Sequence, residues 1–545
     1  MKGREHQDVK GKDGKLPDSW AWSYIGNVTL PVEKVDPSLR PDYEINYLDI
    51  SSIDNNVNRV IEGKSYLGKE APSRARQLII KDDILFSTVR TYLKNIAKVP
   101  GKYDNQIAST GFSVLRPAKG IQSNYLFFYS LSKGFLDKIE KFQRGTSYPA
   151  VRDKDVRIQA IPIPPLNEQT RIVSKLEELF SELDKGIESF KTVRKQLKIY
   201  RQTVLKHAFE GKLTEEWRKQ HADELESAET LLKKIKSERK QRYQQQLDDW
   251  EQAVKTWEAG SKEGKKPTRP NKPKELPPLT EAEFAKLSEL PEGWRWGRAG
   301  FLFESVTSGS RGWAKYYSDN GAVFIRITNL NYDALNLDLS KDKIQYVDPP
   351  NNAEGLRTRV QEGDFLFSIT GYLGMFAIAP KVDEAYVNQH IALARPLSGF
   401  SKQYLGYYIT AKAGGHHHLN KLTKGAVKAG LGLDDIQTFP VPMCSQEEQK
   451  KIVEEIESRL SVVEKLEQDI EVGLRQAETL RQSLLKKAFE GKLVPQDPTD
   501  EPASVLLERI KAEKAEQEKK ARPRNQKNNA SKFSRKAVRK VSSPL

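Results

Sequence analysis

Three short stretches of this sequence hold residues that could do chemistry, and none holds a complete set. Asp348 to Asn351 (DPPN) is close to the tetrapeptide with which amino-methyltransferases grip a base turned out of the duplex. Asn351 stands where an aromatic ring would stack on that base, and no glycine-rich AdoMet loop accompanies it, so a turn is the simpler reading. Pro41 and Asp42 followed by Glu62, Gly63 and Lys64 fit the loose PD…ExK pattern whose carboxylates hold Mg²⁺ in nucleases. That pattern arises often by chance, and the second half of the chain has no equivalent. His416, His417 and His418 invite a metal. Adjacent histidines in a Gly-rich loop seldom share a coordination sphere without carboxylates or cysteines at ligand spacing, so contact with solvent or phosphate is expected instead. No GxxxxGK[ST] loop occurs. The sequence therefore predicts no catalytic residue, no metal site and no cofactor held by this chain.

What the sequence does supply is positive charge: 90 Lys+Arg against 74 Asp+Glu, a net +16 over 545 residues. Acidic partners are implied, with nucleic acid the first candidate. A duplex is held by Arg and Lys on phosphates and read by a few Arg, Asn, Gln, Ser or Thr side chains at base edges. The loop Gln143, Arg144, Gly145, Thr146, Ser147, Tyr148, followed by Arg152, has the composition for this, since glycine admits close backbone approach. Arg90, Thr91 and Tyr92 form a second loop after the run DILFST. Matching places later in the chain are Thr423, Lys424, Gly425 and Lys428, with Thr370 and Tyr372 after FLFS. Ser310, Arg311, Trp313 and Lys315 make an aromatic-basic cluster, and Arg326 and Asn329 follow it. The competing reading of each residue is a solvated surface group. Trp20, Trp22, Trp294 and Trp296 read as core, because they recur at one spacing.

The elements that must position these loops are written twice. Glu168 to Leu213 begins EQTRIVSKLEELF and ends AFEGKL; a second copy begins EQKKIVEEIESRL at Glu448 and ends AFEGKL at Leu493. The offset is 280 at both ends (448 − 168 and 488 − 208), so the copies are ungapped. Each predicts a helix with one apolar stripe: Ile172, Leu176, Leu179, Leu183, Ile187, Phe190, Val193, Leu197, Tyr200 and Val204 in the first, and Ile452, Ile456, Leu460, Val463, Leu466, Ile470, Leu474, Ala477, Leu480 and Leu484 in the second. Asn167 and Ser445 are the expected N-caps, with Glu448 completing a capping box; Gly211 and Gly491 lie just past the ends. A helix of about 60 Å with a wetted stripe needs a partner, and the other copy, packed as a coiled coil, is the nearest. Helix pairing is assigned to Ile172, Leu176, Leu179, Leu183, Ile452, Ile456, Leu460 and Val463. Two separate helices, each capping its own domain, are the alternative.

The repeat extends further. LPDSWAW matches LPEGWRW, DDILFS matches GDFLFS, VLRP matches ALARP, and NYLFFY matches QYLGYY. Short Val/Ile/Phe/Tyr runs alternate with Gly/Asn/Asp/Pro punctuation, which predicts an α+β domain with a mostly antiparallel sheet in each half. The expected layout is a disordered segment 1–15, a domain 16–166, a long helix 167–213, a charged helix and Pro/Lys-rich linker 214–289, a domain 290–444, a long helix 445–494 and a helical, basic tail 495–545. The single cysteine, Cys444, excludes an internal disulfide, and no apolar run approaches a membrane span, so a cytoplasmic protein is expected.

Domain, helix, domain, helix, with antiparallel helices, makes a pseudo-two-fold object suited to two half-sites on DNA. With the IPIPPLNEQTRIV and FPVPMCSQEEQKKIV junctions and the paired AFEGKL endings, the whole chain resembles the specificity subunit of type I restriction-modification enzymes. The resemblance implies two target recognition domains on double-stranded DNA, helices that set the spacer and dock two methyltransferase (modification) subunits, and restriction subunits joining through them. It also implies that AdoMet, ATP and Mg²⁺ serve the complete enzyme, not this chain. The rival readings are a single-chain restriction or modification enzyme, disfavoured by the missing ATP and AdoMet motifs, and a coiled-coil adaptor that binds no DNA.

Overall fold

Residues 15–260, 266–349, 357–422 and 430–521 are described by a computed structural model. The expected disordered start and the basic tail beyond residue 521 lie outside them. The helices that position everything else are α1 (Ser123–Leu131), α2 (Leu166–Phe209), α3 (Ala228–Ala259), α4 (Lys402–Thr410), α5 (Gln446–Phe489) and α6 (Ala503–Ala521). Residues 1–190 with 471–545 form one unit and residues 191–470 the other, so both long helices, α2 and α5, are divided between units. No helix among the described residues is long and apolar enough to cross a membrane.

In unit 1 a six-stranded sheet runs Thr29–Leu30, Phe112–Pro117, Ile84–Ser87, Ile96–Lys98, Arg59–Val60, Ile53–Asp54. A four-stranded sheet runs Lys64–Leu67, Glu44–Leu48, Gln106–Ser109, Ala75–Ile79, and Ala21–Tyr24 pairs with Ala160–Ile163. Unit 2 repeats the plan with Phe303–Ser308, Ile391–Pro396, Phe365–Ser368, Phe376–Ile378, with a second four-stranded sheet, and with Arg295–Arg298 paired to Pro440–Met443. Pairing is mostly antiparallel, as expected; Gln106–Ser109 on Glu44–Leu48 is a parallel exception. The continuous apolar runs ILFS and FLFS are central strands, buried at every residue.

The repeated motifs have repeated jobs. Arg116 of VLRP forks onto buried Asp83 at 2.9 and 2.8 Å, and Arg395 of ALARP does the same to Asp364 at 2.9 and 2.9 Å. Tyr125 and Tyr129 on α1 donate their hydroxyls to the carbonyls of Pro162 and Ala160; Tyr404 and Tyr408 on α4 donate to those of Pro442 and Pro440. The strand before each long helix can therefore be proline-rich: its partners are one ribbon strand and these tyrosines.

AFEGKL is explained by where each long helix ends. Phe489 of α5 sits edge-on to Tyr125 and Tyr129 in unit 1, and Phe209 of α2 sits edge-on to Tyr404 and Tyr408 in unit 2. Gly211 and Gly491 both have φ +69°, and a Cβ on either would meet a proline ring at 2.4 Å, Pro291 and Pro17 respectively. Lys212 N–H donates to His207 O and Lys492 N–H to Lys487 O, the Schellman closure that such a glycine permits.

At the other end two sequence expectations fail. α2 begins at Leu166, so Asn167 lies inside the helix and donates to Asp500 instead of capping. Ser445 does cap α5, its Oγ accepting from Glu448 N–H, but the Glu448 carboxylate does not turn back to complete a capping box. It is drawn away by stronger donors: Trp294 Nε1 at 2.8 Å, Arg218 at 2.7 Å and Thr214 Oγ1 at 2.8 Å. Glu168 likewise accepts from Trp20 Nε1 at 2.9 Å and from Gln496 at 2.6 Å. Trp20 and Trp294 are thus buried, whereas Trp22 and Trp296 are only half-buried, a correction to the reading of all four as core.

Within unit 1 the two helical halves run antiparallel, Asp184 pairing with Arg481, Arg481 over the Phe180 ring, and Phe190 against Gly473. The apolar stripe is only partly spent on this pairing. Ile172 and Leu176 join the domain core together with Phe489, and Leu179 and Leu183 are half-buried. In unit 2, Ile452, Ile456, Leu460 and Val463 are buried. Val193, Tyr200, Leu466 and Leu480 are exposed, against the expectation of one continuous seam. A straight 3.6-residue helix rotates its stripe away from any single partner over this length.

Candidate nucleic-acid interface

The two loops singled out in the first domain are brought together. Residues 144 and 150 form a narrow bridge, Arg144 and Ala150 exchanging both main-chain bonds at 3.0 and 2.9 Å, and Val89 bridges Ala150 on the other side. Arg90 N–H donates to Pro149 O at 2.7 Å, its guanidinium lies 4.5 Å over the Tyr148 ring, and Gln143 Nε2 donates to Thr91 Oγ1. The outer surface is formed by Tyr148, 70% exposed, Tyr92, and the exposed loop Arg144, Gly145, Thr146 and Ser147. Gly145 takes φ +91°, as a tight bend requires.

Arg90 itself is held at φ 48°, ψ 57°, a left-handed conformation that costs a non-glycine residue about 1 kcal/mol or more. The equivalent turn in unit 2 has Gly371 at φ +75°. A strained arginine with a buried, unpartnered Nε stands where the fold elsewhere uses glycine. It shares positive φ with Asn58, Asp82, Lys94 and Asn105 among the described non-glycine residues.

Of the first-domain candidates one turns inward and another, though exposed, is tied up by the fold. Thr91 is 2% exposed and supports Gln143. Arg152 forks onto buried Asp155 at 3.0 and 3.0 Å, holding the start of the following short helix. In unit 2 the corrections are larger. Trp313 is buried, stacked on Phe324 at 5.2 Å, and therefore core. Asn329 is 1% exposed, accepting from Arg326 N–H and donating to the carbonyls of Asp338 and Lys343, so it shapes a turn. Arg326 donates to Lys343 O, with its Nε buried and unpartnered.

Other unit 2 candidates remain at the surface. Thr370 bridges Gly430 as Val89 bridges Ala150, its hydroxyl 2.5 Å from His390 Nδ1, and Tyr372 is 71% exposed beside it. Arg311 and Lys315 are exposed. Ser310 accepts from Arg357, whose guanidinium also reaches Thr307 Oγ1 and Ser308 O. Arg357 was missed by sequence reasoning, as was His390; neither lies in a matched motif, and only the strand ends bring them to the site. Thr423, Lys424, Gly425 and Lys428 lie outside the described residues.

The chemical stretches weighed first are absorbed by the fold. Lys64 is engaged by Asp49 at 2.7 Å, and Asp42 pairs with Lys69 at 3.6 Å. The histidines are on a helix, Gly415–Leu422, and not in a loop. His418 lies against Trp296 and burial pushes its pKa down to about 4; His416 lies against Tyr332. Asp348 N–H donates to Tyr316 O, while Asn351 is outside the described residues. Among the described residues no group of three His, Cys, Asp or Glu stands at metal-holding distance.

The profile of the type I restriction modification DNA specificity domain matches residues 25–189 and again 292–475. The chain belongs to the type I restriction-modification specificity family. It is 24% identical over 526 residues to the EcoKI specificity subunit of Escherichia coli (strain K12), covering 92% of this chain and 97% of that one. To the EcoBI specificity subunit of Escherichia coli it is 23% identical over 409 residues, 72% of each chain. A chain solved in work on complex assembly and conformational transition of the type I R-M system superposes with TM-score 0.64 at 26% identity, covering 88% of this chain and 100% of that one. This is a specificity subunit with two recognition domains, a non-catalytic part of a type I enzyme.

Proposed function

We propose that this specificity subunit reads a split, asymmetric target in double-stranded DNA, one recognition domain per half-site. The carrying observation is that scaffold residues recur at matched places while the surface turns do not. Arg116 and Arg395, Tyr125 and Tyr404, and Trp20 and Trp294 make the same bonds in each unit, but Arg90, Thr91 and Tyr92 face Gly371, Tyr372 and Leu373. A common frame with different turns supports two different base sequences. The test is methylation mapping in a host carrying the complete system. Replacing residues 143–148 with the loop of a relative should change one half-site and leave the other; a change in both halves rejects the assignment.

Recruitment of two methyltransferase subunits, and of restriction subunits through them, is supported by the apolar side chains left outside on the long helices. Ile199 is 68% exposed, Val462 58%, Leu480 50%. In this reading AdoMet, ATP and Mg²⁺ are used by those partners, and the assembly works in the cytoplasm.

A further inference from the structure

One segment of unit 2 is not accounted for by reading bases or by holding the domain. α3 buries Ala228, Leu231 and Ile235, as α6 buries Ala503, Leu506 and Ile510 in unit 1. It then runs on through Trp250 and Trp257, and the chain returns along it. Trp250 Nε1 donates to Pro267 O at 3.0 Å, Arg269 lies 5.6 Å over the Trp250 ring, Lys266 lies 5.9 Å over Trp257, and Arg239 donates to Lys274 O at 3.2 Å. Arg239 to Trp257 is about 27 Å of α-helix. Lys266 to Lys274 covers about 25 Å only as polyproline II at 3.1 Å per residue, so the returning strap is fully extended.

Its sequence repeats every third residue: Lys266-Pro267-Thr268, Arg269-Pro270-Asn271, Lys272-Pro273-Lys274. Polyproline II has three residues per turn, so the prolines share one face and the cations another. Pro267, Pro270 and Pro273 are half-buried, and Lys266, Thr268, Arg269, Asn271 and Lys272 are exposed. The strap is fixed at its far end: Leu276 is buried, and Arg298 donates to the carbonyls of Pro277 and Pro278 at 3.2 Å each while forking onto Glu283. Lys274 is held by Asp434 at 2.9 Å. The ion pairs of Lys266 with Glu258 at 3.8 Å and of Lys272 with Glu275 at 4.0 Å are loose and exposed and contribute little.

We infer that this strap is a second, sequence-independent DNA contact, in which Lys266, Arg269 and Lys272 grip phosphates of the duplex flanking the half-site read by unit 2. The inference rests on the DNA-reading role proposed above. A row of cations about 9 Å apart, spanning about 19 Å, is held rigid before any partner arrives, so little ordering entropy is lost on contact. Its outward positions are Lys, Arg, Thr and Asn, the donors that phosphates take, with no aromatic or aliphatic anchor of the kind a protein interface needs. The sequence after α6, the equivalent helix of unit 1, is also basic, beginning RPRNQK.

The test is the salt dependence of duplex binding by the full chain, alone and assembled with its methyltransferase. In R269Q/K272Q the slope of log K against log salt should fall by about 2, equally for target and unrelated duplex, with the target-to-unrelated ratio unchanged. Trimming the duplex beyond the unit 2 half-site should remove the difference between wild type and variant. An unchanged slope overturns the inference, as does a loss confined to the target, which would place these residues on bases. An unchanged slope with weaker methyltransferase assembly overturns it in favour of a protein partner. Wild type lacking any salt-dependent DNA affinity rejects the recognition role itself, and the strap with it.

Discussion

Arg90, proposed above to lie on the DNA-reading surface, is held there by a strained backbone. Because the fold tolerates glycine at the same turn in unit 2, Arg90→Gly should leave stability within about 1 kcal/mol of wild type, relief of the left-handed penalty being offset by glycine's greater chain entropy. Methylation at sites sharing only the unit 2 half-site bases should survive relaxed reading of the other half; denaturant unfolding and methylation mapping together check this. Glu168 makes a second residue-scale case. Both junction glutamates are buried beneath a tryptophan, but Glu448 has Arg218 against it, while the arginine near Glu168, Arg171, is bound to Asp500 at 2.7 Å. Burial accordingly raises the Glu168 pKa above the usual carboxylate value of 4.5. An acid whose folded pKa is raised binds its proton more readily when folded. The cost of its charge is therefore absent below the unfolded pKa and grows as pH rises through the folded one. Glu168→Gln, which keeps an oxygen for Trp20, should remove that rise in cost, so that wild type loses stability relative to the variant as pH rises from about 4.5 through the raised folded pKa. Parallel unfolding curves across that range would sink the idea.

At the scale of elements, the long helices are continuous from Leu166 to Phe209 and from Gln446 to Phe489, with no proline inside either and with Gly186 and Gly473 carried within them. If they set the spacer, adding seven residues to both, at Glu182 and at Val462, should lengthen the recognised spacer by about 10 Å, roughly 3 base pairs, with both half-sites unchanged. Altered half-site bases in a selection for cleaved or methylated targets would count against helices as spacers. The same helices end as plugs, and the plugs make a sharper test. Phe209→Ala leaves a cavity between Tyr404 and Tyr408 and should destabilise unit 2 by about 3–5 kcal/mol; Phe489→Ala should do the same to unit 1. Hydrogen exchange resolved by segment reads which unit loosens, and uniform loosening by either variant would contradict the assignment.

For the whole molecule, the consequence of the plugs is that unit 1 is not contiguous in sequence, whereas unit 2 is the single stretch 191–470. Unit 1 takes the start of α2 and the end of α5, and unit 2 takes the remaining halves. A chain cut in α2 near residue 190 is therefore expected to split unit 1 between the two fragments and leave unit 2 whole on the second, measurable as loss of target-specific binding that returns when the fragments are mixed. The layout drawn from sequence, each domain followed by its own helix, missed this because periodicity identifies a stripe and not what covers it.

The duplication, the helix pair, the mostly antiparallel sheets and the family all followed from the sequence, because hydrophobic period, glycine ends and ungapped spacing are local signals that survive in one dimension. The loops Gln143 to Tyr148 and Arg90 to Tyr92 were legible as loops for the same reason. Tertiary structure alone decided which of their side chains face out. Thr91, Trp313 and Asn329 have the composition of DNA contacts and are buried in the fold, where a polar group must find its partner, while Arg152 stays exposed and is tied to Asp155. It also decided that Phe209 and Phe489 serve the unit at the far end of their helices, because that pairing depends on which surfaces meet and not on which residues adjoin.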